Sequence, residues 1–574
     1  MFTPKAVMMV LAHLLPGGSL AGPTSFDLLV VGGGSAGLTA AKFAARFGKS
    51  VALIERERLG GDCTWTGCVP SKTLLASAER AHALRTAAEF GVAQPATVSV
   101  DMAAVKARIG RTIGQIYDAD DSPEALRALG IETVSGAATL VDARRVSVSS
   151  GGGGTATVYE ATKGVVLATG ARPRPLDIRG IASVPHLTYE GIFSLDTHPD
   201  PDLTLTLTLS YEGIFSLDTN PDPDLTLTLT LSYEGIFSLD TLPERLTVVG
   251  GGAVDCGLCS SASRALLPTP QQPLLLLGPV GCELAQAFAR LGSSVTLVAP
   301  RLLPGHEPEA SDDLAAALRA DGVALVAARA AAVEARAGGG HALTCSDGSV
   351  VEGTALLSAV GRVPVTEGLG LSALGVELSA ATAGIAVDAK LRTTVKGVYA
   401  AGDCTGDQQY THYAGFQGAI AARNILLPLS DQGVATSRVP GCVFTSPEVA
   451  KVGLTESEAR AEGKAGGVAV AYRRMGQVDR AVTMGEASLG FLKVVYEPRS
   501  GAILGATVMG PSAGELISEI SVAMAGKVKL PALASIMHAY PTVSIALQQL
   551  AAEVYYNQLE ASMPLYNALS RLGL

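Results

Sequence analysis

Cys63 and Cys68 lie five positions apart in the segment Gly60-Gly61-Asp62-Cys63-Thr64-Trp65-Thr66-Gly67-Cys68-Val69-Pro70-Ser71-Lys72. A close cysteine pair can hold two electrons by opening and closing a disulfide, and its reactive form is the thiolate. Residues 67–72 read as a helix start, whose dipole and unpaired N–H groups favour negative charge at Cys68. Upstream stands Gly32-Gly33-Gly34-Ser35-Ala36-Gly37, the G-x-G-x-x-G pattern that lets a pyrophosphate approach a helix N-terminus. A redox nucleotide beside a sulfur pair implies electron flow from a bound cofactor through sulfur to a substrate.

The elements that must position these groups follow in order. Residues 27–31 read as a buried strand, 38–47 as a helix, and 51–54 as a second strand ending at Glu55, which is placed to accept a ribose hydroxyl. Residues 165–172, V-V-L-A-T-G-A-R, bring a strand to a turn at Thr169 and Gly170. Residues 357–364, L-S-A-V-G-R-V-P, repeat the theme around Gly361. Residues 397–403, G-V-Y-A-A-G-D, end a strand on Gly402 and Asp403, an acid suited to a ribitol or ribose hydroxyl.

With these motifs the chain resembles the FAD-dependent pyridine-nucleotide–disulfide oxidoreductases, the family of dihydrolipoamide dehydrogenase, glutathione reductase and mercuric reductase. The resemblance implies an α/β fold with two Rossmann-like domains, for FAD and NAD(P), and an α+β C-terminal dimerisation domain. It implies a homodimer in which each C-terminal domain completes the partner's site. It places FAD against Gly32, Gly34, Gly37, Glu55, Lys72, Thr169, Gly170, Gly402 and Asp403. Cys68 would be the charge-transfer thiolate over the flavin and Cys63 the interchange thiol facing substrate. Lys72 and Glu283 match the family's ion pair near the flavin N5, where an ammonium meets the charge that builds on reduction. The expected divisions begin with a leader or extension (1–25), the first stretch of the FAD-binding domain (26–188) and duplicated repeats (189–232). An NAD(P)-binding domain (243–372), the second stretch of the FAD-binding domain (373–432) and the dimerisation domain (437–574) follow.

The second nucleotide fingerprint is split. A strand over 246–249 leads into Gly250-Gly251-Gly252, and its continuation, Pro279-Val280-Gly281-Cys282-Glu283, begins a helix. Joined directly, Gly250, Gly252 and Gly281 give G-x-G-x-x-G, with Glu283 behind them; 26 residues, 253–278, intervene. That insertion reads as retained non-coding sequence. Its Cys256-Gly257-Leu258-Cys259 lacks a second pair at zinc spacing, so no metal site is assigned. Either the strand over 246–249 is displaced by the inserted 274–277, or the insertion loops out at the phosphate mouth. A flavoprotein with a disabled pyridine-nucleotide site is therefore the alternative reading. The strand over 295–298 ends in Ala299-Pro300-Arg301; an acid there would select NAD, whereas Arg301 suits a 2′-phosphate. NADPH is the expected donor, with NADH possible and Gly361 beside it.

Residues 189–210 and 211–232 are near-identical 22-residue copies, and a third begins at Tyr233. Their Leu-Thr alternation favours a half-buried strand that, without a partner, would be an exposed edge. No function is assigned to them.

The C-terminal segment His538-Ala539-Tyr540-Pro541 departs from thiol-directed relatives, which carry His before the Pro and Glu five residues after that His. Here those positions are Tyr540 and Ile545, and neither shuttles a proton near neutral pH. His538 reads as structural. Tyr540 resembles mercuric reductase, but no cysteine follows Cys442, and the metal-trapping N-terminal domain of that enzyme is not expected either. The expectation is a mercuric-reductase-like flavoenzyme whose acceptor is a metal ion, a disulfide or a quinone-like molecule, with a dihydrolipoamide dehydrogenase-like enzyme as the weaker alternative. Net charge of −10 without a basic run argues against nucleic acid, and eight cysteines in 574 residues suit a reducing compartment, cytoplasm or organelle. No apolar run is long enough to span a membrane. Lys5, the apolar 6–15 and Ser19-Leu20-Ala21 form a weak signal-peptide pattern that leaves leader and extension both open.

Overall fold

The computed structural model describes residues 24–150, 156–184, 186–187, 229–232, 242–250, 279–336, 339–434, 439–464 and 466–571. Outside them lie Gly252, the 253–278 insertion, most of the repeat copies and all but the end of the expected leader.

The first sheet is built on Ser25–Val31, whose run Leu28-Leu29-Val30 is fully buried. A strand covered on both faces reads as a continuous apolar run, and parallel pairing on both sides explains it. Val51–Glu55 lies on one flank and Thr157–Leu167 on the other, both parallel to it. Glu132–Ser135 extends the first flank; Val398–Ala400 pairs in parallel with the C-terminal end of Thr157–Leu167. The chain thus returns, more than 350 positions later, to the sheet begun at Ser25. The helix Ser35–Arg46 follows the glycine turn. At Gly32 φ is +108°, and a Cβ there would sit 2.2 Å from the Ala168 carbonyl oxygen. At Gly37 a Cβ would sit 1.8 Å from the Gly32 oxygen. Only glycine allows this helix to close on the turn.

A second, parallel sheet runs in the order Ala324–Val326, Ser294–Val298, Arg245–Val249, Ala355–Ser358, Leu229–Ser232, His186–Leu187. Arg245–Val249 keeps its central place, in register with Ser294–Val298 on one side and Ala355–Ser358 on the other. Displacement of this strand by the insertion is not realised. One repeat strand finds partners within this sheet. Leu229–Ser232, from the second copy, pairs with Ala355–Ser358 and with His186–Leu187, so the sheet supplies the hydrogen bonds that an exposed edge would lack.

The C-terminal region is a five-stranded antiparallel sheet with the helices Ala513–Ala525 and Ile545–Arg571. It does not stand apart. One apolar cluster joins Leu74 and Ile109 of the first domain, Leu246, Val248 and Phe288 of the second, and Val443, Phe491 and Met509 of the third. Lys493, only 4% exposed, crosses the same junction: its ammonium lies 2.9 Å from Glu307, 3.0 Å from Glu309 and 3.0 Å from Glu456.

Candidate active site

A cleft of about 820 Å³ runs from the first glycine turn past the cysteine pair to the second domain. At one end Glu55 accepts the Gly33 N–H at 2.6 Å and the Glu57 N–H at 2.7 Å. Burial pushes its carboxyl up, and these N–H bonds pull it back. Each oxygen keeps a second lone pair for a further donor. Gly32 and Gly34 line the cleft with Thr169, Gly170, Gly361, Gly402 and Asp403. Gly402 is held by its N–H to Gln417 Oε1 at 2.8 Å. Burial raises Asp403 to about 6, opposed by Arg362, whose Nε is 3.7 Å away. Arg362 also bonds Asp62, next to Cys63. A glycine cradle that any Cβ would fill, an acid for ribose and a buried acid at the far turn fit a flavin dinucleotide.

Cys63 ends up on the short helix Gly61–Trp65, and Cys68 is the first residue of Cys68–Arg85. Both are free thiols that hydrogen-bond to each other. Cys68 is pushed down to about 6, chiefly by the bond from Cys63, against the opposing effect of burial, with help from Thr411 and Lys72. Cys63 moves the other way, upward, because it is the donor in that bond and is partly buried. The two sulfurs titrate as a coupled pair in which negative charge is favoured on Cys68.

Lys72 Nζ lies 2.8 Å from Glu283 Oε2, on the helix Pro279–Leu291. Burial alone would lower Lys72; the Glu283 charge outweighs it and holds the ammonium above its ordinary value. The other Glu283 oxygen accepts the Phe444 N–H at 2.9 Å, and Lys72 sits 4.4 Å from the Phe444 ring centroid.

The pieces on the pyridine-nucleotide side are less concentrated. Gly250 (φ +119°) ends its strand with a Cβ position 2.4 Å from the Ala359 oxygen. Gly281 is buried in the first turn of Pro279–Leu291, and Pro279 and Val280 reach the cleft. Arg301 is exposed beyond Ser294–Val298 and does not line the cleft. Tyr540 does not line the cleft: it is 67% exposed and donates to Asp479 Oδ2 at 2.9 Å. His538 has both ring nitrogens engaged, with Glu519 at 2.6 Å and the Ile536 oxygen at 2.8 Å.

Sequence reading missed Thr411, Phe444, Gln417 and Arg362. Thr411 and Phe444 gave no local signal, because their partners lie 343 and 161 positions away.

The fold and the cleft define a flavin-dependent NAD(P)H disulfide oxidoreductase. The profile of the pyridine nucleotide-disulphide oxidoreductases matches residues 26–267 and 266–421, and that of their dimerisation domain residues 439–551. The chain belongs to this family. It is 30% identical to a dihydrolipoyl dehydrogenase of Chlamydia muridarum over 91% of this chain and 95% of that one. It is 31% identical to a mercuric reductase of Streptomyces lividans over 93% and 96%. Among solved structures it superposes on LpdA from Mycobacterium tuberculosis with a TM-score of 0.71 at 28% identity, covering 92% of this chain and 99% of that one. The fold is shared with the flavoprotein disulfide reductase RclA from Escherichia coli, TM-score 0.70 at 23% identity, over 92% and 99%. Electrons pass from NAD(P)H through FAD to a disulfide centre. Among the described residues no helix is long and apolar enough to cross a membrane.

Proposed function

We propose that Cys63 and Cys68 are that centre and that the chain is a mercuric-reductase-like, NADPH-preferring enzyme acting as a homodimer. The observation that carries the reading is geometric: Cys63 and Cys68 line one cleft, Cys68 at a helix start, beside the Lys72–Glu283 ion pair. Bound FAD supplies the two-electron relay between nicotinamide and sulfur. Reduction breaks the sulfur–sulfur bond; Cys68 keeps an electron pair as thiolate, and Cys63 takes a proton. Lys72, fixed by Glu283 and capped by Phe444, would supply positive charge to a flavin as it is reduced. Gly32, Gly34, Gly37, Glu55, Thr169, Gly170, Gly402 and Asp403 hold the dinucleotide; Gly250, Gly252, Gly281, Gly361 and Arg301 serve the NADPH side. The NADPH preference rests on Arg301 and on the missing acid after Ser294–Val298. Tyr540 in place of a histidine argues for an acceptor that needs no thiol protonation, a soft metal ion or a quinone-like molecule. The chain's likeness to a mercuric reductase supports that choice.

The test is anaerobic reduction of the FAD-loaded protein by one equivalent of NADPH or NADH. A long-wavelength thiolate–flavin band should form faster with NADPH, vanish in Cys68→Ser and persist in Cys63→Ser. Loss of the band in Cys63→Ser alone would reverse the sulfur assignment, and faster reduction by NADH would overturn the coenzyme preference.

A further inference from the structure

We propose that Thr411 is a third catalytic residue of the sulfur centre, its hydroxyl donating to the Cys68 sulfur and holding it as thiolate when Cys63 is engaged elsewhere. This rests on the dithiol reading above and extends it to a residue distant in sequence.

The geometry comes first. Thr411 Oγ1 lies 3.3 Å from Cys68 Sγ. It is the first residue of the 16-residue helix Thr411–Leu426, as Cys68 is the first residue of Cys68–Arg85. Two helix N-termini therefore meet at one sulfur, and both favour negative charge there. Thr411 faces the cleft.

The surrounding charges explain why a neutral donor is needed. Cys63, Lys72, Glu283 and Asp403 are among the groups acting on Cys68, and Asp62, Arg362, His412 and Cys442 line the same cleft. The Lys72 ammonium lowers Cys68, but Glu283, 2.8 Å from that ammonium, raises it and offsets part of the effect. Asp403 is a second acid, and ionising it opposes the thiolate. Stabilisation then falls on two hydrogen bonds, from the Cys63 S–H and the Thr411 O–H.

These two donors are not equally durable. With a soft metal ion as acceptor, the Cys63 S–H bond breaks, its proton leaves to solvent and a sulfur–metal bond forms. Cys63 is then bonded to the acceptor and carries no S–H. At that stage Thr411 is the hydroxyl donor left to Cys68. Its effect should therefore grow when the Cys63 S–H is removed.

The experiment uses full-length, FAD-loaded protein, anaerobically reduced, with the pH midpoint of the thiolate–flavin band as readout. It compares wild type with Thr411→Val and Thr411→Ser, each before and after Cys63 is capped with iodoacetamide. In Thr411→Val the midpoint should rise by about one pH unit, and by more once Cys63 is capped. Thr411→Ser should stay near wild type in both states. Thr411→Ala repeats the measurement if Val disturbs the helix start. An unshifted midpoint in Thr411→Val, with a normal band in wild type, overturns the Thr411 assignment and leaves the dithiol reading standing. Equal shifts before and after capping overturn the role reserved for the engaged state. A wild-type protein with no band at any pH overturns both readings.

Discussion

On the proposed reading, Tyr540 is the residue that sets this chain apart from thiol-directed enzymes of its fold. Its phenol donates to Asp479, and that bond raises its pKa further above neutrality. It cannot accept a proton from a substrate thiol, and His538 has both nitrogens committed. Dihydrolipoamide turnover should therefore be slow. Installing Tyr540→His together with Ile545→Glu should raise it by about 10²–10⁴-fold, the usual worth of a positioned acid–base group. Steady-state kinetics decides the matter, and wild-type turnover at the speed of a dedicated dehydrogenase would sink the claim. At this scale Cys63, Cys68 and Lys72 were legible because one short motif holds them together. Glu283 was legible only by resemblance. Thr411 and Phe444 were not, because 343 positions separate Thr411 from Cys68 and 161 separate Phe444 from Glu283. Contacts of that range are made by the fold, and local spacing carries no trace of them.

Among the elements, the strand Leu229–Ser232 is the least expected. Its Leu-Thr alternation announces a strand. What alternation cannot convey is the neighbour, and here Ala355–Ser358 provides one. The sequence Leu207-Thr208-Leu209-Ser210 in the first copy is identical to Leu229-Thr230-Leu231-Ser232 in the second. Deleting residues 189–210 should leave NADPH binding and thermal stability unchanged, since an intact strand sequence remains. Deleting 189–232 removes the strand itself and should lower both. Thermal unfolding and NADPH titration of the two deletions separate these outcomes; equal losses would show that the pairing contributes nothing. The glycine turn at Gly32 and the central strand Ser25–Val31 were legible because a tight turn and double burial each demand a narrow choice of residue.

At the scale of the molecule, three domains meet on one apolar cluster, and two of them also meet on Lys493. Three carboxylates surround a single buried ammonium, so Lys493→Met would leave Glu307, itself 3% exposed, without its counter-charge. Breaking a buried pair by removing one partner costs about 3–5 kcal/mol. Denaturant unfolding should show a loss of that order, and a change within error would mean that the carboxylates are satisfied by other groups. The junction was invisible in the sequence, where Lys493 is one charge inside a strand reading Phe491–Tyr496. The shared cluster also bears on how such a chain can change over generations. Leu74, Phe288 and Phe491 belong to one packing problem although they lie in different domains. A segment exchanged with that of a relative brings in side chains shaped to another surface, so chimeras cut between the domains inherit mismatched interiors. Variation here has to proceed by paired, compensating steps on both sides of the junction, and the domains are heritable only as a set.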